Sequence, residues 1–200
     1  MKIGIYGSSF NPITNGHLWT ANTVAHRQKL DKVIFLPSSN KRMDKSITTQ
    51  DFHRIEMLKI AIGGNEKFEY SDYEMKATIG TYYTYYTMEH FKKLYPGSEV
   101  FFIMGADLLK EIPEWKYSEE LITNNRFIVM ERNDINMYKV IAGSVLLRRY
   151  EQQFILMGKG IINEISSSYI REEFEFGGDP RYLLPEAVYQ YIQENQVYTI

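Results

Sequence analysis

The feature that most constrains this chain is a series of short apolar runs separated by segments with helical spacing. The runs cover residues 2–6, 33–36, 100–104, 127–130 and 154–157. Uninterrupted apolar runs of this length are typical of strands that are buried on both faces. Strands that alternate with helices predict a parallel sheet covered by helices on both sides. We therefore expect an α/β fold.

Helical spacing is clearest in five segments. Leu18, Ala21, Val24 and Ala25 indicate a helix that begins near His17, and further helices are expected at 52–62, 84–94, 168–176 and 185–194. Pro185 suits the first turn of the last of these helices. Residues 38–49 are polar and basic without a period, which indicates a loop. We expect one domain over residues 1–200, with a small helical part from about residue 166.

Charge and composition exclude several classes of protein. The net charge of −2 argues against a nucleic-acid binder, so any phosphate site must be a local cluster. The absence of cysteine excludes disulfides, thiolate metal sites and a cysteine nucleophile. No apolar run is long enough to span a membrane, and Gly7 comes too early for a signal peptide. We expect a cytoplasmic protein without membrane partners; its oligomeric state, including a homodimer, stays open.

The loop after the first strand is the first candidate for a ligand site, because ligands of such sheets bind at the carboxyl ends of the strands. It reads Gly-Ser-Ser-Phe-Asn-Pro-Ile-Thr-Asn-Gly-His over residues 7–17. Small residues let backbone N–H groups approach an anion, and the helix start adds positive charge. Thr14 and His17 would point toward that anion. The alternative is an ordinary strand–turn–helix connection capped by an asparagine.

The second candidate is Ile-Ser-Ser-Ser-Tyr-Ile-Arg over residues 165–171. Serines at a helix start either cap the helix or offer donors to a phosphate, and Arg171 adds a planar cation. Alone, this segment would indicate a helix cap with an exposed arginine. Glycine-rich dinucleotide and lysine-bearing phosphate loops are both missing from the sequence, so a nucleotide would have to be bound in another way.

These two segments resemble the signatures of the nucleotidylyltransferase superfamily. Residues 7–17 are similar to its (Thr/His)-x-Gly-His element, and residues 165–171 to its Ile-Ser-Ser-Thr-x-Ile-Arg element. Gly-Ala-Asp at 105–107, followed by Ile-Pro-Glu-Trp at 112–115, resembles bacterial nicotinate mononucleotide adenylyltransferases. Residues 53–58, 80–88 and 184–198 also resemble these enzymes, so the likeness spans nearly the whole chain. It implies a Rossmann-like sheet.

The resemblance also implies roles for individual residues. His17 would stabilise the transition state with support from Thr14, and Trp115 would stack on the pyridine ring. The ATP site would comprise Gly7, Ser8, Ser9, Phe10, His17, Gly105, Asp107, Ser166, Ser167, Ser168 and Arg171. The mononucleotide site would comprise Ser9, Tyr83, Thr84, Trp115 and Lys45.

The implied reaction transfers AMP from ATP to nicotinate mononucleotide and forms nicotinate adenine dinucleotide and pyrophosphate, a step of NAD biosynthesis. Mg²⁺ would accompany ATP, held mainly by phosphate and water, and no metal site built by the protein alone is expected. The chain departs from the family at Asn11 and Tyr86, where aspartate is usual, and it lacks the Pro-Pro-His-Lys element. Two alternatives stay open: a phosphopantetheine adenylyltransferase, and a catalytically weak nucleotide-binding regulator on the same fold.

Overall fold

A computed structural model describes residues 1–40, 47–78, 83–158 and 165–198. These residues form one parallel six-stranded sheet in the order β3-β2-β1-β4-β5-β6. All five predicted strands are present, and the Rossmann-like α/β fold is confirmed. The sequence missed β3, because its three residues lie at the sheet edge and are mostly exposed. The strands are β1 (Lys2–Ser8), β2 (Lys32–Pro37), β3 (Phe68–Tyr70), β4 (Glu99–Gly105), β5 (Arg126–Met130) and β6 (Phe154–Met157).

Helices surround the sheet, and the five predicted ones are present within two residues of their expected bounds. Pro185 precedes the last helix at the capping position instead of lying in its first turn, which corrects the prediction. The remaining helices have four to seven residues, too few to show a helical period. The helices are α1 (Asn15–Arg27), α2 (Asp51–Ile62), α3 (Tyr73–Lys76), α4 (Thr84–Leu94), α5 (Ala106–Glu111), α6 (Ser118–Asn124), α7 (Met137–Gly143), α8 (Val145–Arg149), α9 (Ser167–Glu175) and α10 (Glu186–Asn195).

Alternate residues of the strands enter two separate cores. Phe101 and Ile103 of β4 pack on one face, against α1, α2, α9 and α10, whereas Phe102 and Met104 pack on the other, against α4 to α7. Both faces of the central strands are therefore buried, which explains why their sequences are uninterrupted apolar runs. Within the described ranges, no helix is long and apolar enough to cross a membrane.

The strand order reverses between β1 and β4, which lie side by side at the centre of the sheet. Ligands of such sheets bind in the crevice at a reversal of this kind, beyond the carboxyl ends of the strands. Gly7 and Ser8 lie at the end of β1, and Gly105 ends β4. A Cβ on Gly7 would lie 3.1 Å from the ring of Phe102, so the ring would have to shift slightly to admit a larger residue. Topology thus brings two of the predicted segments to one crevice.

Candidate active site

His17 is held by the cap of its own helix. Thr14 is the capping residue of α1, and its Oγ1 accepts a hydrogen bond from the His17 N–H at 3.2 Å. In return, the Thr14 N–H donates to Nδ1 of His17 at 3.1 Å, and Thr14 Oγ1 lies 2.9 Å from the same nitrogen. Because Nδ1 accepts, the proton of the neutral ring is on Nε2, which lies 3.5 Å from Ser8 Oγ. The cap is Thr14 and not the asparagine of the alternative interpretation, and it orients the Nε2–H of His17 toward the crevice.

The surroundings of His17 keep its ring neutral. Burial, together with the nearby positive charge of Arg132, lowers the pKa of His17 to about 3. The Phe10 ring packs against it with centroids 5.1 Å apart and is itself completely buried. The side chain of Phe10, predicted at the ATP site, thus supports His17 from the core and lines neither of the cavities described below. In the protein without substrate, His17 is a neutral hydrogen-bond donor.

Two cavities adjoin at His17. The first, of about 150 Å³, lies beyond β1, β4 and β5, and the second, of about 310 Å³, lies between the loop after β1 and the start of α9. Both are lined by Ser8, His17, Arg132 and Ile165. Gly7, Gly105 and Asp107 line the first cavity, and Ser9, Ser166, Ser167, Ser168 and Arg171 line the second. Most of the predicted ATP residues are thereby brought to two cavities that share four lining residues.

Asp107 offers an acceptor inside the first cavity. Gly105 lies at the capping position of α5, and Asp107 lies in the first turn of this helix. Its Oδ1 is buried and has no hydrogen-bond partner among the described residues. Leaving a buried acceptor unpaired is unfavourable, so this oxygen is available to a donor that enters the cavity. A side chain on Gly105 would overlap this carboxylate, so the glycine keeps the acceptor accessible.

Arg132 is a site residue that the sequence analysis missed. It follows β5, lines both cavities, and has a buried Nε without a hydrogen-bond partner in the part of the chain that the structure describes. Its charge is close enough to lower the pKa of both His17 and Tyr6, although burial raises that of Tyr6 overall. Its position just after the predicted strand at 127–130 is the signal that could have identified it, because ligands of such sheets bind beyond the ends of the strands.

The polar side chains at the start of α9 bind the first loop. Ser166 caps the helix by accepting from the Tyr169 N–H at 3.1 Å, and Ser167 Oγ donates to the Pro12 carbonyl at 2.8 Å. Arg171 donates through Nη1 to the Asn11 carbonyl at 2.7 Å and through Nη2 to Ser168 Oγ at 3.3 Å. The second sequence signature thus positions the first one, and Ser166, Ser167, Ser168 and Arg171 line the second cavity.

Arg54 holds the loops after β1 and β2 together. The family resemblance of residues 53–58 did not predict this role. The side chain is completely buried. Its Nη1 donates to the carbonyls of Ser9 and Ser38, both at 2.9 Å, and its Nη2 pairs with Asp51 at 2.6 Å. One guanidinium group therefore sets the distance between the two loops that border the crevice.

Of the residues predicted to bind the mononucleotide, Ser9 lines the second cavity, whereas the other described ones lie outside both cavities. Thr84 begins α4, and Tyr83 lies at the capping position of this helix. Trp115 packs edge-on against Phe102, with centroids 6.3 Å apart, and none of these three predicted residues lines either cavity. Phe102 separates Trp115 from Gly7 and hence from the first loop. Lys45 lies outside the described residues, as do residues 79–82 and 159–164.

Known proteins resemble this chain over nearly its whole length. The model of the cytidylyltransferase-like family matches residues 5–173. A probable nicotinate-nucleotide adenylyltransferase of Clostridium tetani is 36% identical, and the nicotinate-nucleotide adenylyltransferase of Bacillus subtilis is 35% identical; each alignment covers 98% of both chains. Plasmodium falciparum nicotinic acid mononucleotide adenylyltransferase complexed with NaAD superposes with a TM-score of 0.78 at 26% identity, over 98% of this chain and 97% of that one.

The match of the family model and the full-length identities agree with the parallel sheet and with the site at its reversal point. The second cavity is lined by both segments that carried the sequence resemblance, namely the one that ends at His17 and the one that ends at Arg171. The chain belongs to the cytidylyltransferase-like family, and within it to the bacterial nicotinate-nucleotide adenylyltransferases.

Proposed function

We propose that this nucleotidyltransferase joins the AMP part of ATP to nicotinate mononucleotide. The observation that carries the proposal is the neutral His17 ring, which Thr14 orients so that Nε2–H faces the junction of two cavities. The adenosine would lie in the first cavity near Asp107, and the phosphates would extend into the second toward Arg171. The reactive α-phosphate would then lie beside His17. The chain acts in the cytoplasm in this proposal.

The chemistry needs positioning more than proton transfer. The phosphate of the acceptor is ionised at neutral pH, so its oxygen can attack the α-phosphorus without a general base. A new P–O bond forms as the bond to the β-phosphate bridging oxygen breaks, and pyrophosphate leaves with that electron pair. The protein holds the groups in line and stabilises the charge that develops on the α-phosphate. His17 supplies a hydrogen bond, and Arg132 supplies positive charge.

Mg²⁺ enters this proposal as the cation of the ATP substrate. Within the ranges that the structure describes, no three His, Asp or Glu side chains are grouped so that they could hold a metal ion. Mg²⁺ commonly keeps several waters and binds through substrate phosphates with few protein ligands. A cation held in this way would offset the charge of the triphosphate and needs no protein cage.

The acceptor preference is the test of the proposal, and we expect higher kcat/KM for nicotinate mononucleotide than for nicotinamide mononucleotide. The first turn of α4 contains no acidic residue, because Tyr86 replaces the usual aspartate. A helix start favours an anion by about 0.3–1 kcal/mol at an exposed site. Tyr83 and Thr84, at the start of α4, belong to the predicted mononucleotide site. The carboxylate of a nicotinate ring bound there would gain this stabilisation, and the neutral amide of nicotinamide would not.

The measurement is pyrophosphate release from ATP with nicotinate mononucleotide, nicotinamide mononucleotide or phosphopantetheine as the acceptor. A ratio near one for the two pyridine nucleotides, or one that favours the amide, would contradict the nicotinate preference. Turnover with phosphopantetheine but with neither pyridine nucleotide would support a phosphopantetheine adenylyltransferase. ATP binding without turnover of any acceptor would support the regulator.

A second prediction separates the two halves of the site through the two tryptophans of the chain. Trp115→Ala should raise the KM of the mononucleotide by about tenfold and leave ATP affinity unchanged, because it removes a stacking surface worth about 0.5–1.5 kcal/mol. Trp19 lines the first cavity, so Trp19→Ala should instead weaken ATP binding. Titration of each variant with each substrate decides it. If Trp115→Ala weakened ATP binding and left mononucleotide binding unchanged, the assignment of the two halves of the site would be wrong.

A further inference from the structure

We propose that Tyr198, near the C-terminal end of the chain, is a positioning residue for this reaction. Its hydroxyl bonds to the loop that leads into α1, at a residue that lines the second cavity. The inference rests on the proposed function, since it concerns the alignment of ATP in the second cavity. Tyr198 itself lines neither cavity and would act through the residues it holds.

The first contact of Tyr198 is with the side chain of Asn11. The hydroxyl donates to Asn11 Oδ1 at 2.7 Å, and Asn11 is only 3% exposed although it lines the second cavity. Arg171 and Ser167 bind backbone carbonyls of the same loop. Tyr198 adds a bond to a side chain, and this bond restricts how the loop can rotate. The family's aspartate at this position is replaced by asparagine, which keeps the oxygen that accepts this bond.

The second neighbour of the Tyr198 hydroxyl is Thr49. Burial raises the pKa of the Tyr198 hydroxyl, and the Thr49 side chain opposes this effect. The hydroxyl therefore stays protonated at neutral pH and can donate to Asn11. Ile47, two residues before Thr49, lines the second cavity. If the bond to Asn11 is lost, the loop that leads into α1 can rotate and the cavity loses its shape.

The ring and the hydroxyl of Tyr198 have separable roles. The ring stacks on Phe174 with an interplanar angle of 20° and centroids 6.0 Å apart, and Tyr198→Phe leaves that contact intact. Tyr191 provides a matched control. Its hydroxyl lies 2.9 Å from His53 Nδ1 and links α10 to α2, but Tyr191 lines neither cavity. Tyr191→Phe therefore removes a comparable bond of the C-terminal part away from the site.

The experiment compares Tyr198→Phe with Tyr191→Phe by calorimetric ATP titration, steady-state kinetics and thermal unfolding. Both variants should lower the melting temperature slightly. Tyr198→Phe should also weaken ATP binding and lower kcat/KM for ATP by about tenfold, because a buried acceptor that shapes the cavity loses its donor. Tyr191→Phe should stay within about twofold of the wild type, since the bond it loses lies outside the cavity. In an Asn11→Ala background, Tyr198→Phe should cause little further loss, because the two residues form one pair.

Equal ATP affinities and equal kinetics for the two tyrosine variants would overturn the proposal and leave Tyr198 a purely structural residue. Full additivity of Asn11→Ala and Tyr198→Phe would also overturn it. The outcome is independent of the acceptor. If the wild-type protein bound ATP but did not use nicotinate mononucleotide, the proposed function would fail, and the ATP titrations of the variants would still decide the role of Tyr198.

Discussion

Replacing His17 with alanine is expected to lower kcat by about 10²–10³-fold in a protein that still folds, the usual effect of removing one donor to a developing negative charge. The donor here is Nε2–H, because Nδ1 accepts hydrogen bonds from Thr14. The neutral ring is already oriented before substrate binds, so its loss cannot be compensated by solvent in a partly buried crevice. The effect should fall on kcat more than on the KM of ATP, since the charge grows only in the transition state.

The matched control is His26→Ala. His26 lies on the same helix, α1, but in its last turn and exposed to solvent. It should leave kcat unchanged. His17→Ala also removes the acceptor of the Thr14 N–H, so some loss of stability, about 0.5–2 kcal/mol, is expected from the weakened cap. Circular dichroism would verify that the variant is folded; a folded His17→Ala protein with kcat within a few-fold of the wild type would exclude the proposed role.

Replacing Arg54 with methionine is expected to lower the free energy of unfolding by about 3 kcal/mol. The variant keeps most of the side-chain volume but removes the donors to the carbonyls of Ser9 and Ser38 and the partner of Asp51. The completely buried position of the guanidinium leaves little room for water to replace these bonds. The loops after β1 and β2 should also separate, and ATP binding should weaken.

Lys59→Met is the control for this measurement. Lys59 also forms an i,i+3 ion pair on α2, with Glu56 at 2.7 Å, but both partners are solvent-accessible. Exposed pairs contribute little to stability, so the loss should be much smaller than for Arg54→Met. Urea unfolding of both variants gives the comparison. Equal losses would mean that the buried network around Arg54 does not hold the loops.

Features that depend on neighbours along the chain could be predicted from the sequence. The five apolar runs became strands, because burial on both faces of a central sheet requires uninterrupted apolar residues. The segment that ends at His17 combines a strand end, a small-residue turn and a helix start, and its main hydrogen bonds join residues only three positions apart. Helices of four to seven residues and the edge strand β3 were not predicted, because they have too few residues to show a periodic apolar pattern.

The tertiary structure alone decided which distant residues support that segment. Arg54 bonds to Ser9 across 45 positions, Arg171 to Asn11 across 160, and Tyr198 to Asn11 across 187. Arg132 comes near His17 because β5 pairs with β4, and β4 lies beside β1 at the reversal point of the sheet. The apolar pattern of the sequence predicts which segments are buried, but it does not predict which polar groups become hydrogen-bond partners inside the protein. Buried polar groups need partners, and the packing of the sheet and helices chooses them.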